Sequence, residues 1–191
     1  MVDLEKVEKA TRMLLEGIGE DPDRPSLRET PNRVARMWQE LMAGMDQSAD
    51  EIMKAIFVEE YDEIIILRDI PLVSVCEHHL VPFIGRAHVA YLPTPGRVTG
   101  LSKLARVVHM HARRLQVQER MTAAIADDIM RTLQPRGVMV VIEAEHLCMT
   151  IRGARKPGAV TVTSVVRGLF RENDATRMEA LALLRNGRGG D

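Results

Sequence analysis

The two cysteines of this 191-residue chain both lie beside histidine, one in residues 76–79 (CEHH) and the other in residues 146–148 (HLC). Thiolate and imidazole are the preferred ligands of a borderline-soft metal ion such as zinc. Cys76 and His79 have the Cys-x-x-His spacing with which one tight loop can present two side chains to a single ion. Cys148 is the natural third ligand. A shared ion requires a fold that brings these distant segments together.

Histidines that such a metal group does not use remain beside it. With three protein ligands, one tetrahedral position is left for water, which is the pattern of a catalytic zinc site rather than a structural one. His78 and His146 are then available for proton transfer. The cysteines could instead be buried thiols without a metal, but the histidines beside both of them favour the metal site. His88, His109 and His111 have no such neighbours, and for them we expect surface or core roles.

Composition limits the class of protein. An apolar share of 46% indicates a globular chain, and a formal net charge of −1 argues against a nucleic-acid-binding protein. No apolar run reaches membrane-spanning length, and residues 1–6 lack the apolar core of a signal peptide. Two cysteines cannot form a disulfide framework. We therefore expect a cytoplasmic protein with no membrane partner, built either as one full domain or as one domain with a helical appendage.

Helical periodicity dominates the first third of the chain. Apolar residues at helical spacing predict a helix over residues 4–18. Thr30 is predicted to be an N-cap with Pro31 in the first turn, and residues 48–51 (SADE) form a capping-box pattern at the start of a third helix. Later helices are predicted over residues 102–134, with an interruption near 114–116, and from Asp174, as N-cap, to Leu184.

Strands are predicted at residues 64–67, 86–92, 138–142 and 159–166. The second alternates as a strand with one buried face, and the third runs on towards the second cysteine. If it stays extended, His146, Cys148 and Arg152 share one face. The order of elements predicts an α+β fold with an antiparallel sheet. We divide it into an N-terminal helical region at residues 1–60 and a catalytic region at residues 61–191, which act as one functional unit.

Basic side chains cluster in a pattern typical of an anion site, although the total charge is balanced. Lys103 and Arg106 share a face at the start of a predicted helix, and Arg33 and Arg36 repeat that spacing. Helix N-termini with added cations bind phosphate well. More positive charge follows the third proposed ligand, at Arg152, Arg155 and Lys156. Solvated helix faces are the alternative, but together the cations suggest a polyanionic small molecule beside the metal. The chain contains no P-loop sequence to hold it.

Motifs along the chain, in the same order, resemble those of the GTP cyclohydrolase I family. They are residues 29–35 (ETPNRVA), 74–85 (SVCEHHLVPFIG), 100–106 (GLSKLAR), 116–120 (QVQER) and 146–153 (HLCMTIRG), followed by 161–164 (TVTS) and 168–170 (GLF). Their number and order distinguish this resemblance from a match to one short motif. Thr99 departs from the family pattern, standing where an aliphatic residue is common, but it is not a proposed catalytic position.

The resemblance implies a zinc hydrolase that converts GTP and water to formate and 7,8-dihydroneopterin triphosphate, the first step of tetrahydrofolate and pterin biosynthesis. Its ligands for a single zinc ion per subunit would be Cys76, His79 and Cys148. Water activated by the metal would attack C8 of the guanine. His146 would exchange protons with the imidazole ring of the substrate as it opens, and His78 would assist proton transfer near the ribose.

The resemblance also implies roles in substrate binding. Glu119 would accept hydrogen bonds from the guanine amine and ring nitrogen, which discriminates against adenine. Ser102 would lie near the ribose, where rearrangement and ring closure follow. The other implied contacts are Gln118 and the backbones of Leu101 and Val117 around guanine, and Lys103, Arg106 and Arg152 on the triphosphate, joined by Arg33 and Arg36 of another subunit.

The family's fold is the tunnelling fold, an antiparallel sheet packed by helices that closes into a barrel only by oligomerisation. The resemblance therefore implies a toroidal homodecamer with active sites at subunit interfaces, GTP as the small-molecule partner and no nucleic acid. The predicted strands are too few to close a barrel alone, and they leave sheet edges that need partners.

Particular residues distinguish this interpretation from other classes. A nitrile reductase of the same fold would use a nucleophilic cysteine and lack the zinc ligands. A non-catalytic zinc or nucleotide-binding module would have no need for His78 and His146. A paralogue that supplies queuosine or another pterin-derived product would share the chemistry, so it stays open. A redox-active pair of Cys76 and Cys148 is a minor alternative.

Overall fold

The computed structural model describes residues 1–54 and 56–185. Its elements in chain order are α1 (Leu4–Gly17), α2 (Thr30–Leu41), α3 (Ala49–Ile52), β1 (Ile56–Phe57), β2 (Ile65–Cys76), β3 (Pro82–Leu92), β4 (Val98–Thr99), α4 (Leu101–Ala112), β5 (Leu115–Gln116), α5 (Gln118–Leu133), β6 (Gly137–His146), α6 (Leu147–Thr150), β7 (Val160–Gly168), α7 (Leu169–Glu172) and α8 (Asp174–Arg185). Within these ranges, no helix has the length and apolar character needed to cross a membrane. Residues 186–191 of the predicted catalytic region lie outside the described residues.

The central sheet has the strand order β5-β2-β3-β6-β7. β2 pairs antiparallel with β3, β3 with β6, and β6 with β7, while the short β5 runs parallel to β2. β1 and β4 form a separate antiparallel pair. This largely antiparallel sheet packed by helices confirms the predicted α+β fold.

Strand β3 is buried on both faces over its second half. Alternate residues of a strand point to opposite sides. Val89 faces the main core with α4 and α5, whereas Ala90 and Leu92 face a second cluster that includes Phe170 of α7. The prediction of a half-buried strand at residues 86–92 is therefore wrong beyond its first residue. Helices from the far end of the chain cover the second face, and local alternation carries no information about them.

Some helix starts differ in detail from their predictions. Thr30 is the first residue of α2 rather than its N-cap, because Glu29 already has helical backbone angles. Ser48 occupies the N-cap of α3, but without a side-chain capping bond to the described residues. The cap of α8 is Asn173, whose Oδ1 accepts a first-turn N–H at 3.0 Å, and Asp174 is the first helical residue. The extended backbone of Asn173 permits this bond.

Strand β6 ends at His146, and the residues after it form the helical turn α6. Oγ1 of Thr150 donates to the carbonyl O of His146 at 3.3 Å, a bond that stabilises the turn. The predicted extension of the strand is therefore wrong, and His146, Cys148 and Arg152 do not alternate along one face. Cys148 instead projects from the turn.

The predicted break between the two long helices is confirmed, and it places α5 beside the first cysteine. α4 ends at Ala112 and α5 begins at Gln118, with β5 between them. β5 pairs with the end of β2, so that Cys76 lies opposite Gln116. The backbone N of Glu77 donates to the O of Gln116 at 3.1 Å. The N-terminus of α5 is thereby held next to the first proposed metal ligand.

Candidate active site

Cys76, His79 and Cys148 come together in the fold. Their ligand atoms, the two Sγ atoms and a ring nitrogen of His79, all lie within 4.8 Å of one another. A tetrahedral zinc ion has Zn–S distances of about 2.3 Å and Zn–N distances of about 2.0 Å, so its ligand atoms lie about 3.5 to 4 Å apart. Small side-chain movements bring the observed group to this geometry. The three residues can therefore hold a metal ion.

A tight loop presents the first two of these side chains. The backbone N of Cys76 donates to the O of Val81 at 2.9 Å, and the N of Leu80 donates to the O of Cys76 at 2.9 Å. Leu80 has a φ of 55°, in the left-handed region, which lets the chain reverse within a few residues. Cys76 is buried at the end of β2, whereas His79 is exposed in the loop. The loop thus directs a core residue and a surface residue towards the same point.

Glu77, between the two ligands, ties this loop to α5. Its carboxylate forms an ion pair with Arg120 in the first turn of α5, and the hydrogen bond from Arg120 lowers the pKa of Glu77. Nη2 of Arg120 also lies 3.5 Å from the O of Leu115. The metal loop and the helix that carries Gln118 and Glu119 are therefore joined by a charge pair as well as by backbone hydrogen bonds.

The electrostatics of the group favour a soft cation. Burial and the neighbouring Cys76 raise the pKa of the Cys148 thiol. A bound divalent cation would reverse this effect, because a metal ion stabilises the thiolate. Two thiols and an imidazole suit zinc, whereas calcium and magnesium require oxygen ligands. The donor set therefore fits the metal that the sequence predicts.

His146 lies at the end of β6 with its ring held on two sides. Its Nε2 lies 2.7 Å from Oε1 of Gln118, and the ring stacks on Phe83 with a centroid distance of 4.6 Å and an interplanar angle of 10°. Burial lowers the pKa of His146, while the negative charge of Glu119 opposes that shift. A neutral imidazole can accept a proton, and a nearby carboxylate stabilises the cation that forms.

His78 and His79 are adjacent but differ in position. His79 belongs to the metal-binding group. The side chain of His78 is 63% exposed, with Nε2 3.9 Å from Oε1 of Glu77 and Nδ1 3.8 Å from Sγ of Cys76. His78 is therefore accessible to a substrate while remaining next to the metal ligands.

Arg152, one of the basic residues predicted to bind the triphosphate, contacts the metal-binding group. Its Nη1 lies 3.2 Å from Nε2 of His79. Glu145 holds the loop that carries it, because Oε1 of Glu145 accepts from the N of Gly158 at 2.9 Å and from Oγ1 of Thr150 at 2.9 Å. These bonds, the one from Gly158 first, lower the pKa of Glu145. The carboxylate thus closes the loop from both ends around Arg152.

The other predicted substrate contacts lie near the starts of helices. Ser102 and Leu101 are exposed at the start of α4, as is Glu119 in α5. Gln118 differs, because it is 1% exposed and its side-chain amide contacts protein groups, including His146. The remaining members are Lys103, Arg106, Arg33 and Arg36 at exposed or half-buried helix positions, and Val117 as the N-cap of α5.

Residues without a predicted role also shape the site. Phe83 supports the ring of His146, and Glu145 holds the Arg152 loop. Thr163 on β7 lies 3.0 Å from Nε2 of Gln118. Thr163 belongs to a matching motif, but the alternation of valine and threonine along β7 would predict inward valines, whereas Val162 is 59% exposed. The contacts of Glu145 have no comparable signal, since they depend on how a later loop folds back.

Comparison with known proteins identifies a family that this chain matches. The sequence pattern described as GTP cyclohydrolase I matches residues 7–185. GTP cyclohydrolase 1 of Carboxydothermus hydrogenoformans is 61% identical over 184 residues, which cover 96% of this chain and 96% of that protein. GTP cyclohydrolase 1 of Pelotomaculum thermopropionicum is 60% identical over 185 residues, which cover 97% of this chain and 98% of that protein.

Solved structures resemble part of the chain. An archaeosine synthase QueF-Like in the apo form has a TM-score of 0.46 at 16% identity, over 55% of this chain and 93% of that chain. The E. coli dihydroneopterin aldolase in complex with neopterin has a TM-score of 0.43 at 12% identity, over 56% of this chain and 99% of that chain. The sequence matches, in contrast, extend over nearly the whole chain at high identity. On that basis the chain belongs to the GTP cyclohydrolase I family.

Proposed function

We propose that this protein is a zinc-dependent hydrolase that converts GTP and water to 7,8-dihydroneopterin triphosphate and formate, the first step of tetrahydrofolate and pterin biosynthesis. Family membership supports GTP as the substrate. The observation that carries the zinc chemistry is the convergence of Cys76, His79 and Cys148 within 4.8 Å. His146, two residues before the last of them, supplies a group for proton transfer.

Zinc is the metal that these side chains fit, with one ion per subunit. A zinc ion held there would allow water to act as a nucleophile near neutral pH. The chain supplies the geometry, since Cys76 is fixed at the end of β2, His79 in the following loop and Cys148 in α6. His78 lies beside the residues that would hold the ion, with its Nδ1 3.8 Å from Sγ of Cys76.

Ring opening of guanine requires protons to be delivered to the ring and removed from water. His146 suits this role, because Gln118 and Phe83 orient its ring and burial lowers its pKa. His78, exposed beside Cys76, assists proton transfer nearer the ribose. Ser102 lies near the ribose in the same proposal.

Glu119 is the proposed guanine-recognition residue. It is exposed in the first turn of α5, and it lies close enough to His146 for its negative charge to oppose the lowering of the His146 pKa. A carboxylate accepts two hydrogen bonds from the guanine amine and ring N–H, and adenine does not offer that pair. The backbones of Leu101 and Val117 complete the pocket, with Gln118 buried behind His146.

The triphosphate of the substrate is proposed to bind to a group of basic side chains. Arg152 borders the metal-binding group, and the N-terminus of α4 adds a partial positive charge beside Lys103 and Arg106. Arg33 and Arg36 are exposed on α2, and we propose that they contribute to the site of a neighbouring subunit.

A homo-oligomer, which we propose to be a toroidal homodecamer, would complete both the sheet and the sites. β7 is an edge strand, and its residues Val160 and Val162 are 57% and 59% exposed. Edge strands with apolar side chains pair readily with another chain.

Residues 1–60 and 61–191 act as one functional unit in this proposal. Two free thiols suit a reducing compartment such as the cytoplasm.

The proposal is tested by incubating the purified, metal-analysed protein with GTP. Formate is measured directly, and the pterin by its fluorescence after oxidation. We expect both products from the zinc-loaded protein, neither after the metal has been removed by a chelator, and no conversion of ATP. Fully metallated protein that forms no pterin from GTP would contradict the proposal.

A further inference from the structure

The side-chain amide of Gln118 has an orientation that its surroundings determine. Gln118 is 1% exposed. Its Nε2 lies 3.1 Å from the carbonyl O of Ile142 and 3.1 Å from the carbonyl O of Thr161. A peptide carbonyl can only accept, so both contacts require N–H donors, and the reverse orientation would place three oxygens together. The amide oxygen of Gln118 therefore faces the other way.

That oxygen determines the tautomer of His146. Oε1 of Gln118 lies 2.7 Å from Nε2 of His146. An amide oxygen can only accept, so Nε2 of His146 carries a hydrogen. In the neutral imidazole the other nitrogen, Nδ1, then has no hydrogen and presents a lone pair. Because the ring also stacks on Phe83, its plane and the direction of Nδ1 are both set.

Two threonine hydroxyls support the same orientation. Oγ1 of Thr122 donates to the backbone O of Gln118 at 2.7 Å. A hydroxyl has one hydrogen, so in the 2.7 Å contact between Thr122 and Thr163 the donor is Thr163. Oγ1 of Thr163 then presents a lone pair to Nε2 of Gln118 at 3.0 Å, where it shares one of the two amide hydrogens with a carbonyl oxygen. Hydrogen bonds are therefore donated from His146 to Gln118, and from Gln118 to acceptors in the core.

We propose that Gln118 is a positioning residue that holds His146 as the Nε2–H tautomer, so that Nδ1 is the atom that exchanges protons with the substrate. This inference rests on the proposed function, because it takes His146 as the proton-transfer group. It assigns Gln118 a different role from direct guanine binding. Both hydrogens of its amide nitrogen already have protein acceptors, and the side chain is buried behind the imidazole.

Steady-state kinetics of two variants distinguish these roles. Gln118→Met keeps the length of the side chain and removes the amide, and we expect kcat to fall about 10-fold to 100-fold, as for other groups that orient catalytic side chains. The KM for GTP and the zinc content should stay near their wild-type values. Gln118→Glu can supply a carbonyl acceptor and, when protonated, an O–H donor, so it should retain more turnover than Gln118→Met. A raised KM with unchanged kcat in Gln118→Met would overturn the positioning role.

A double-mutant cycle tests whether Gln118 acts through His146. In the His146→Ala background, Gln118→Met should cause no further loss of turnover. A full additional loss would overturn the inference. If Gln118→Met does not fold, Thr163→Val serves as a milder variant, and it should lower kcat by a smaller factor without changing the KM for GTP. An unchanged kcat in Thr163→Val would then count against the network.

Neutron diffraction of deuterium-exchanged wild type reads the tautomer without any activity measurement. At about pH 8.5, where imidazole is neutral, we expect deuterium on Nε2 of His146 and none on Nδ1. Deuterium on Nδ1 with a bare Nε2 would overturn the inference. This result is separable from the proposed function, because protein that shows the expected tautomer but forms no pterin from GTP would refute the function alone.

Discussion

Nη1 of Arg152 lies 3.2 Å from Nε2 of His79, so a guanidinium borders the metal-binding group. The loop that carries Arg152 is closed by Glu145, which accepts hydrogen bonds from residues on both sides of it. An arginine in this position can bind an anionic substrate group close to the metal.

Removal of this guanidinium should weaken substrate binding without removing the metal. A hydrogen bond to a charged group contributes about 1.5–3 kcal/mol. We therefore expect Arg152→Ala to raise the KM for GTP about 10-fold or more, while the zinc content stays at the wild-type level. Arg155→Ala removes the same charge from the same exposed loop and is the matched control. If both variants raised the KM for GTP equally, the positive charge of the loop in general, rather than a specific contact of Arg152, would be responsible for substrate binding.

The division between metal ligand and proton carrier is tested at two neighbouring positions. Cys148→Ala should lose zinc and activity together, because two remaining ligands hold the ion poorly. His146→Ala should keep its zinc, while turnover falls about 100-fold to 10,000-fold, the range expected for loss of a general acid–base group. Zinc is measured by elemental analysis and turnover by pterin fluorescence on the same samples. Loss of zinc from His146→Ala would show that His146 is a ligand.

Glu119 should control recognition of the guanine base. Glu119→Gln keeps the shape of the side chain but replaces one acceptor oxygen with a donor. We expect kcat/KM for GTP to fall about 100-fold or more, since an unpaired polar edge is costly in a binding site. The preference for GTP over inosine triphosphate, which lacks the amine, should shrink in the same variant. Glu172→Gln, an exposed carboxylate in α7, is the control and should behave as wild type.

A partly buried network of polar contacts between α4 and α5 makes stability depend on pH. Oδ2 of Asp128 accepts from Nε2 of His111 at 2.8 Å, and Oδ1 accepts from Nη2 of Arg131 at 2.7 Å. Burial alone would raise the pKa of Asp128, but the hydrogen bonds from Arg131 and His111 outweigh it and lower that pKa. A carboxyl group whose pKa is lowered by folding stabilises the folded protein at pH values above its unfolded pKa of about 3.9. That stabilisation is lost as the pH falls through the pKa of the group in the folded protein.

Asp128→Asn should therefore be less stable than wild type at neutral pH, by about 1–3 kcal/mol. The difference between the two proteins should shrink below about pH 4. Burial also lowers the pKa of His111, so both proteins should begin to lose stability as the pH falls below about 6.5. Thermal unfolding followed by circular dichroism between about pH 3 and 8 measures both effects. Asp127→Asn, which removes a more exposed partner of Arg167, should change stability little. A pH-independent difference for Asp128→Asn would contradict this account.

The sequence predicts the ligand group because the residue types themselves carry the information. The cysteines have histidines beside them, and Cys76 and His79 have a spacing that a short loop accommodates. The order of helices and strands follows from local periodicity in the same way. These features depend on residues close together in the chain, so a single sequence contains them.

Features that depend on distant segments were not predictable. The strand through His146 stops because the next residues form a helical turn, which the apolar alternation of β6 does not indicate. The second buried face of β3 depends on α7 and α8. The direction of the Gln118 amide depends on two carbonyl oxygens from β6 and β7. Each of these is set by tertiary packing rather than by local pattern.

The most direct test of the central claim follows one carbon atom of the substrate. GTP labelled with ¹³C at C8 is incubated with the zinc-loaded protein, and the products are separated and analysed by NMR. Ring opening at C8 predicts that all of the label released appears as formate, in an amount equal to the 7,8-dihydroneopterin triphosphate formed. Label retained in the pterin, or formate formed without the pterin, would contradict the assignment of this metal-binding site to GTP ring opening.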